Sequence, residues 1–533
     1  MKKFYVMFLA AAMFLVMDAS ESMLANWAGR SADCTVKLDK NSDGTPVLEL
    51  AAKEKDGSAL RNTRIPVKEF EKLKMTVKVS GKGQFQYGFH LYSGAGYIIT
   101  RTSGWTDIPA EPSVLDIERI IGQYQQGAFI DKGCEFYVMP TIYLRKGAEL
   151  RLEQFACHVK PAEKAEIPEV SSLLLPETIY AVPGVETNLY FDNIFLAPDA
   201  GSYMFDVDCP KGSQFAKRWS FVPAASDAGT YNLTLKVSDG RKIVAYATSR
   251  LVVAPPDAGK DKEISVLLIG DSITDVTTYP ARFHALVTGV NNPKMKMIGS
   301  HSGSGGEVKS GGIAHEGYAG WAWSSFLTLL RDVPGNADRR TQIYASSKFL
   351  KRVDGKVDFD FQYYLDRYND GKAPDYIVIL LGINDIFGAS DLTVYDGLRE
   401  VLNNADALIG GIRKAAPKTQ IGIGLITLGA GQDAYGKVYR CSQTAWRYKI
   451  NNFLLNQAYI RTFSPKAYPG VSIVPIVANL DCENNFPTEE RPINLGNPVS
   501  AVMQSDGLHP APAGGNQIGD TVYAWLKCHL NGK

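Results

Sequence analysis

The sequence predicts two all-β sandwiches followed by an α/β/α domain built on a mainly parallel, five-stranded sheet. Three observations predict it. First, up to Val253 the chain consists of short runs with period-two alternation, among them Leu48-Glu49-Leu50, Leu73 to Val79, Gln84 to Tyr92 and Phe136 to Tyr143. Clusters of Gly, Ser, Asn and Asp separate them, the pattern of half-buried antiparallel strands. Second, beyond about residue 262 the runs become continuously apolar: Ser265 to Ile269, Met295 to Ile298, Tyr376 to Leu381, Ile421 to Ile426 and Val471 to Val477. Helical stretches lie between them, such as Leu392 to Ala416 and Thr444 to Thr462. Strands that are apolar on both sides belong to a parallel sheet covered by helices on both faces. Third, Pro161 to Val170 and Ala254 to Gly259 have the composition of linkers.

Taken in chain order, residues 1–22 read as an export signal. Met1-Lys2-Lys3 is basic, Phe4 to Val16 is apolar, and Asp18 to Ser22 is mostly polar, with Ala19 or Ala25 as the last residue removed. The apolar stretch is too short for a permanent membrane helix, which needs about 20 residues. The mature protein is therefore expected to be soluble and exported, to the periplasm, the cell surface or the medium. Residues 24–162 form the first sandwich; its closing strand, Ala148 to Val159, is similar to the last strand of jelly-roll modules. Residues 168–256 form the second. There Asp227-Ala228-Gly229-Thr230-Tyr231 precedes the alternating strand Asn232 to Val237, as in an immunoglobulin-like tyrosine corner. Leu233 stands where antibody domains carry a cysteine, so no such disulfide is expected, and Trp219 is the expected core filler. The expected role of this sandwich is a spacer. Residues 262–533 form the α/β/α domain.

A chain of 533 residues has room for about three or four domains. A formal net charge of +1 offers no bulk attraction to a polyanion, so nucleic acid is not an expected partner. The seven cysteines, Cys34, Cys134, Cys157, Cys209, Cys441, Cys482 and Cys528, leave at least one thiol unpaired, and none shows zinc-site spacing. Most are expected to serve as small buried hydrophobes. No metal or organic cofactor is expected.

In a doubly covered parallel sheet the ligand sits beyond the carboxyl ends of the strands. Four segments with chemical potential fall there. Gly270-Asp271-Ser272-Ile273-Thr274 follows the first buried strand and presents Ser272 where a helix begins, with a free backbone N–H. A serine in that place equally serves as a helix cap. Tyr318-Ala319-Gly320-Trp321-Ala322-Trp323 puts a glycine in a loop, where backbone can approach a ligand closely. Leu381-Gly382-Ile383-Asn384-Asp385 offers the Asn384 amide either to the same pocket or to a local turn. Asp506-Gly507-Leu508-His509-Pro510 precedes the final helix. Asp506, three residues ahead of His509, can reach round to accept the imidazole Nδ1–H and leave Nε2 outward as a base. His301 and His315, which flank a glycine-rich loop from Ser302 to Gly312, are weaker candidates for that base, and His284 reads as structural.

The order of these four segments resembles the SGNH (GDSL-type) hydrolase superfamily over about Glu263 to Leu530. The two sandwiches lie outside the resemblance. It implies the SGNH hydrolase fold, with Ser272 as nucleophile, His509 as base and Asp506 completing the triad. The implied oxyanion donors are the Ser272 and Gly320 N–H groups and the Asn384 amide. Gly320 is preferred to nearby Gly317 because the family glycine precedes short polar or aromatic residues entering a helix. A departure is the long stretch from Gly299 to Asp375. Its aromatics Trp321 and Trp323, with Phe359, Phe361, Tyr363 and Tyr364, are expected either to shape the substrate pocket or to pack in the core. Sandwiches ahead of such a domain resemble the arrangement of bacterial carbohydrate acetylesterases. That likeness implies a secreted serine esterase acting on an acetylated oligo- or polysaccharide. The alternatives are a lipase, phospholipase or thioesterase of the same superfamily, or a glycan-binding protein whose hydrolase domain is inactive. No G-x-S-x-G elbow, P-loop or H-E-x-x-H marks a rival class.

Overall fold

A computed structural model describes residues 24–67, 72–93, 96–120, 136–160, 172–308, 312–353, 356–391, 393–430, 434–465 and 467–530. The expected export signal, Cys134, the linker Pro161 to Val170 and positions 309–311 of the glycine-rich loop lie outside the described residues. The chain divides into two compact units, residues 1–164 and 165–533.

The first unit is a two-sheet β-sandwich. One sheet runs in the order Trp27–Gly29, Gly57–Arg61, Phe136–Leu144, Gln84–Ser93, Gly96–Thr102. The other runs Ser113–Ile120, Lys72–Lys82, Glu149–Lys160, Pro46–Ala52, Cys34–Lys40. Alternation does the work here. Phe85, Tyr87, Phe89 and Leu91 from one sheet meet Val77, Val79, Leu150 and Leu152 from the other in a single core.

The second unit opens with a smaller sandwich. Thr178–Ala181, Ile243–Val253, Gly229–Ser238 and Met204–Asp208 form one sheet, and Thr187–Tyr190, Arg218–Phe221 and Ser213–Gln214 the other. Leu233, Leu235 and Val237 face inward beside Trp219. The Tyr231 hydroxyl donates to the Asp227 carbonyl at 3.0 Å, closing the corner anticipated there. This sandwich is not a loosely tethered spacer. Asn193 Nδ2 donates to the carbonyls of Val477 (2.8 Å) and Leu480 (2.6 Å), and Asn188 N–H donates to Asn479 Oδ1 at 2.7 Å. The segment read as a linker is itself pinned: Ala254 and Ala258 are buried, and Lys527 Nζ donates to Pro256 and Ala258 carbonyls. Proline content signals irregular backbone, but buried contacts decide whether that backbone bends.

The rest of this unit carries five parallel strands: Glu263–Gly270 (β1), Lys294–Ile298 (β2), Tyr376–Leu380 (β3), Gln420–Gly424 (β4) and Val471–Val474 (β5). Their order is β2-β1-β3-β4-β5, and Glu316–Gly317 adds a two-residue parallel pairing to the end of β1. Strands β2 and β3 flank β1 on opposite sides, so right-handed crossovers put their helices on opposite faces. Thr278–Val287 packs with Pro512–Leu530, and Val394–Ala415 with Ala445–Thr462. The strand order reverses between β1 and β3, which opens a crevice beyond their carboxyl ends. Two differences from expectation stand out. The run Val471 to Val477 ends as a strand at Val474, because Pro475 has no N–H for the ladder and Ile476–Asn479 turns helical. Between Thr488 and Gln504 an antiparallel hairpin stands where no element was anticipated; Pro492 and Pro498 break its apolar alternation.

Candidate active site

The crevice is lined by loops that leave β1 and β3. Asp271, not Ser272, caps the short helix Ser272–Asp275: its Oδ1 accepts the Ile273 N–H at 3.0 Å. The cap is thus filled, and the Ser272 hydroxyl is free for another partner. That partner is His509, whose Nε2 lies 3.0 Å from Ser272 Oγ. His509 Nδ1 lies 2.9 Å from Asp506 Oδ2. The other Asp506 oxygen accepts the backbone N–H groups of Leu508 (2.8 Å) and His509 (3.1 Å). Burial acts to raise the Asp506 pKa, but the His509 hydrogen bond and these two N–H groups outweigh it and hold the carboxyl below its ordinary value. An ionised Asp506 accepts the Nδ1–H, which leaves Nε2 unprotonated and able to accept the serine proton. The loop is backed by Tyr435, whose hydroxyl donates to the Gly507 carbonyl at 2.7 Å.

On the far side of Ser272 the chain Tyr318-Ala319-Gly320-Trp321 makes a turn closed by Trp321 N–H to Tyr318 O at 3.1 Å. Gly320 occupies its third place with φ +79°, a conformation that favours glycine. The turn is registered against the Ser272 loop by Tyr318 N–H to Gly270 O at 3.0 Å. The N–H groups of Ser272 and Gly320 find no acceptor among the described residues. Asn384 joins the same turn, with Nδ2 donating to Trp321 O at 2.9 Å. One of its two amide hydrogens remains for a ligand. The neighbouring Asp385 accepts the Trp323 N–H, and burial pushes its carboxyl up to about 7. Burial likewise pushes Asp271 up to about 7. A polar cavity of about 190 Å³ opens beside Asn384, lined among others by Ser324, Asp385, Glu400 and Asn404.

All five residues expected to act together are thus linked: Ser272, His509 and Asp506 directly, Gly320 and Asn384 through one turn. The expected pocket role of Trp321 and Trp323 does not hold. Trp323 is fully buried and its Nε1–H donates to Tyr459 OH at 2.8 Å; Trp321 is 5 % exposed and stacks on Tyr318 with centroids 3.8 Å apart. Neither ring has a face open to a ligand. Phe361 and Tyr364 are also core residues. His301 and His315 are fully buried and bond to Gly317, so neither is a free base. The sequence reading missed Asp385 and Tyr435 as supports. Asp385 follows Asn384 directly and was visible as a neighbour; nothing in the sequence marks Tyr435. Among the described residues no group of three or more His, Cys, Asp or Glu side chains could hold a metal ion. No described helix is long and apolar enough to cross a membrane.

No protein-family model and no curated protein matches the chain. Solved structures similar to it include a family 3 carbohydrate esterase from Clostridium thermocellum, at 16% identity over 49% of this chain and 94% of that one, with a TM-score of 0.30. A family two carbohydrate esterase from Clostridium thermocellum in complex with cellohexaose matches at 11% identity over 93% and 99% of the two chains, with a TM-score of 0.27. An acetyl xylan esterase from the rumen bacterium Butyrivibrio proteoclasticus matches at 10% identity over 95% and 99%, with a TM-score of 0.25. At these scores neither the fold nor the chemistry rests on the likeness.

Proposed function

We propose that the chain is an exported serine esterase of the SGNH (GDSL-type) class that removes O-acetyl groups from carbohydrate. In this reading the five-stranded sheet is the SGNH core, and the jelly-roll-like and immunoglobulin-like sandwiches are accessory. The observation that carries the reading is the pair of hydrogen bonds in which His509 Nδ1–H donates to Asp506 Oδ2 (2.9 Å) and Ser272 Oγ–H donates to His509 Nε2 (3.0 Å). A serine hydroxyl is a weak nucleophile until a base takes its proton. His509 Nε2 accepts that proton as Ser272 Oγ attacks the ester carbonyl, and Asp506 stabilises the imidazolium. The oxyanion meets the N–H groups of Ser272 and Gly320 and the Asn384 amide. Each such donor is worth about 10²–10³ in rate. The imidazolium then protonates the leaving sugar oxygen, and water, deprotonated by the same base, releases acetate.

The polar cavity beside Asn384 has neither Ser272 nor His509 in its lining and does not set the substrate class. One feature favours a lipase instead: Ile493, Leu495, Val499 and Val502 are exposed on the hairpin that leads into Asp506. A chain-length series of nitrophenyl esters, beside acetate release from acetylated xylan, separates the two. Acetyl preference with acetate release is expected; cleavage of long esters alone rejects the carbohydrate reading. Ser272→Ala is expected to abolish both hydrolysis and labelling by a fluorophosphonate probe, and undiminished hydrolysis would remove Ser272 as nucleophile.

A further inference from the structure

Two buried histidines, His301 and His315, meet edge to face with ring centroids 4.9 Å apart, and His301 lies 4.7 Å from the ring of Tyr318, which begins the turn that carries Gly320. Their hydrogen bonds converge on one residue, Gly317. His315 Nδ1 accepts the Gly317 N–H at 3.1 Å, and His301 Nε2 lies 2.7 Å from the Gly317 carbonyl oxygen. The carbonyl only accepts, so His301 Nε2 is the donor. The tautomer of His315 follows in the same way. Its Nδ1 accepts, so its Nε2–H donates to Thr277 Oγ1 at 2.9 Å, while Thr277 Oγ1–H donates to the Asp275 carbonyl at 3.1 Å. Burial and then the nearby His301 push the His315 imidazole down to about 3, so Nδ1 stays an acceptor at neutral pH.

Gly317 is where the oxyanion loop meets the nucleophile loop. It pairs with Gly270, two residues before Ser272, and a Cβ at 317 would sit 2.7 Å from Thr274 Cβ. Three residues on is Gly320. Glu316 fixes the same segment from the other side. Its carboxylate accepts the Ser300 N–H (2.6 Å), the Ser300 hydroxyl (2.9 Å) and the Tyr318 hydroxyl.

We infer that His301 and His315 are positioning residues that clamp Gly317 through its carbonyl and its N–H and so hold the Gly320 N–H where the oxyanion forms. The inference rests on the reading of Ser272, His509 and Gly320 given above. It makes a crossed prediction, because the amide of Asn branches at the same distance from the backbone as imidazole Nδ1, and that of Gln lies near Nε2. At 315 the atom needed is an acceptor at the Nδ1 place, so His315→Asn keeps the clamp and His315→Gln loses it. At 301 the atom needed is a donor at the Nε2 place, so His301→Gln keeps it and His301→Asn loses it. Steady-state kinetics on 4-nitrophenyl acetate, with thermal unfolding of each variant, reads this out. The two clamp-losing variants should fall about 100-fold in kcat, the scale of a misplaced catalytic contact, with KM nearly unchanged. The two mimics should stay within about tenfold of wild type, a smaller misplacement. A kcat that tracks only the loss of thermal stability across all four variants, or that lacks the crossing, overturns the clamp. A wild type with no esterase activity overturns the site reading and the clamp with it. An active wild type, an inactive Ser272→Ala and no crossing overturn the clamp alone.

Discussion

Ser272 owes its free hydroxyl to the residue before it. Asp271 fills the helix cap, and it does so as a fully buried carboxyl with one oxygen, Oδ2, lacking a partner among the described residues. Burial raises its pKa from 3.8 to about 7, so its unfolded form ionises first as the pH rises. The sign follows from linkage. Between about pH 4 and pH 7 the unfolded chain loses a proton that the folded chain retains, so this group lowers stability as pH increases, and its full cost is present above about pH 7. Asp271→Asn keeps the capping oxygen and cannot ionise. The variant should therefore melt at a higher temperature than wild type at about pH 8, with a much smaller difference at about pH 4. A gap that is equal at both would mean that Asp271 is charged in the folded protein throughout.

At the scale of elements, the loops do the positioning and the strands only bring them together. The Asp506–His509 loop follows the exposed hairpin Thr488–Gln504 and leans on Tyr435 through the Gly507 carbonyl. A Cβ at 507 would overlap the Tyr435 ring, so one of the two must move. Gly507→Ala is expected to leave secondary structure unchanged and to lower kcat by about 10- to 100-fold through a shift of the imidazole. Circular dichroism with kinetics on the same small ester checks this. A variant with wild-type kcat would show that the loop keeps its position without Tyr435. The candidate catalytic segments were legible in the sequence because each sets polar residues at the end of a predicted strand or just before the final helix: Asp271-Ser272, Asn384-Asp385, Asp506 to His509. Their supports were not legible. Tyr435 looks like any other aromatic, and what it does depends on a glycine 72 residues away.

At the scale of the molecule, residues 165–533 hold a small sandwich and an α/β domain as one compact unit. Asn193, fully buried, satisfies two carbonyls at the end of the segment Ile476–Asn479 and its successor Leu480. Removing it leaves both acceptors unsatisfied, at a cost of about 1–3 kcal/mol each. Asn193→Ala should lower the unfolding temperature of the sandwich and the α/β domain together in calorimetry. Separation of that transition into two would show that the sandwich folds on its own and only rests against its neighbour.

Alternation and apolar runs foretold the architecture, because period-two and continuous burial leave different marks on a linear chain. The type of residue at each strand end foretold the candidate chemistry for the same reason: polar side chains at the ends of apolar strands are local facts. Whether Ser272 or its neighbour caps the helix, whether Trp321 and Trp323 face a pocket or a core, and whether His301 and His315 are exposed or buried were open in the chain and closed only by packing. Each turns on a contact between segments far apart in sequence, such as Trp323 on Tyr459 or His509 on Ser272. Local pattern carries no information about which distant partner will claim a hydrogen-bonding group first.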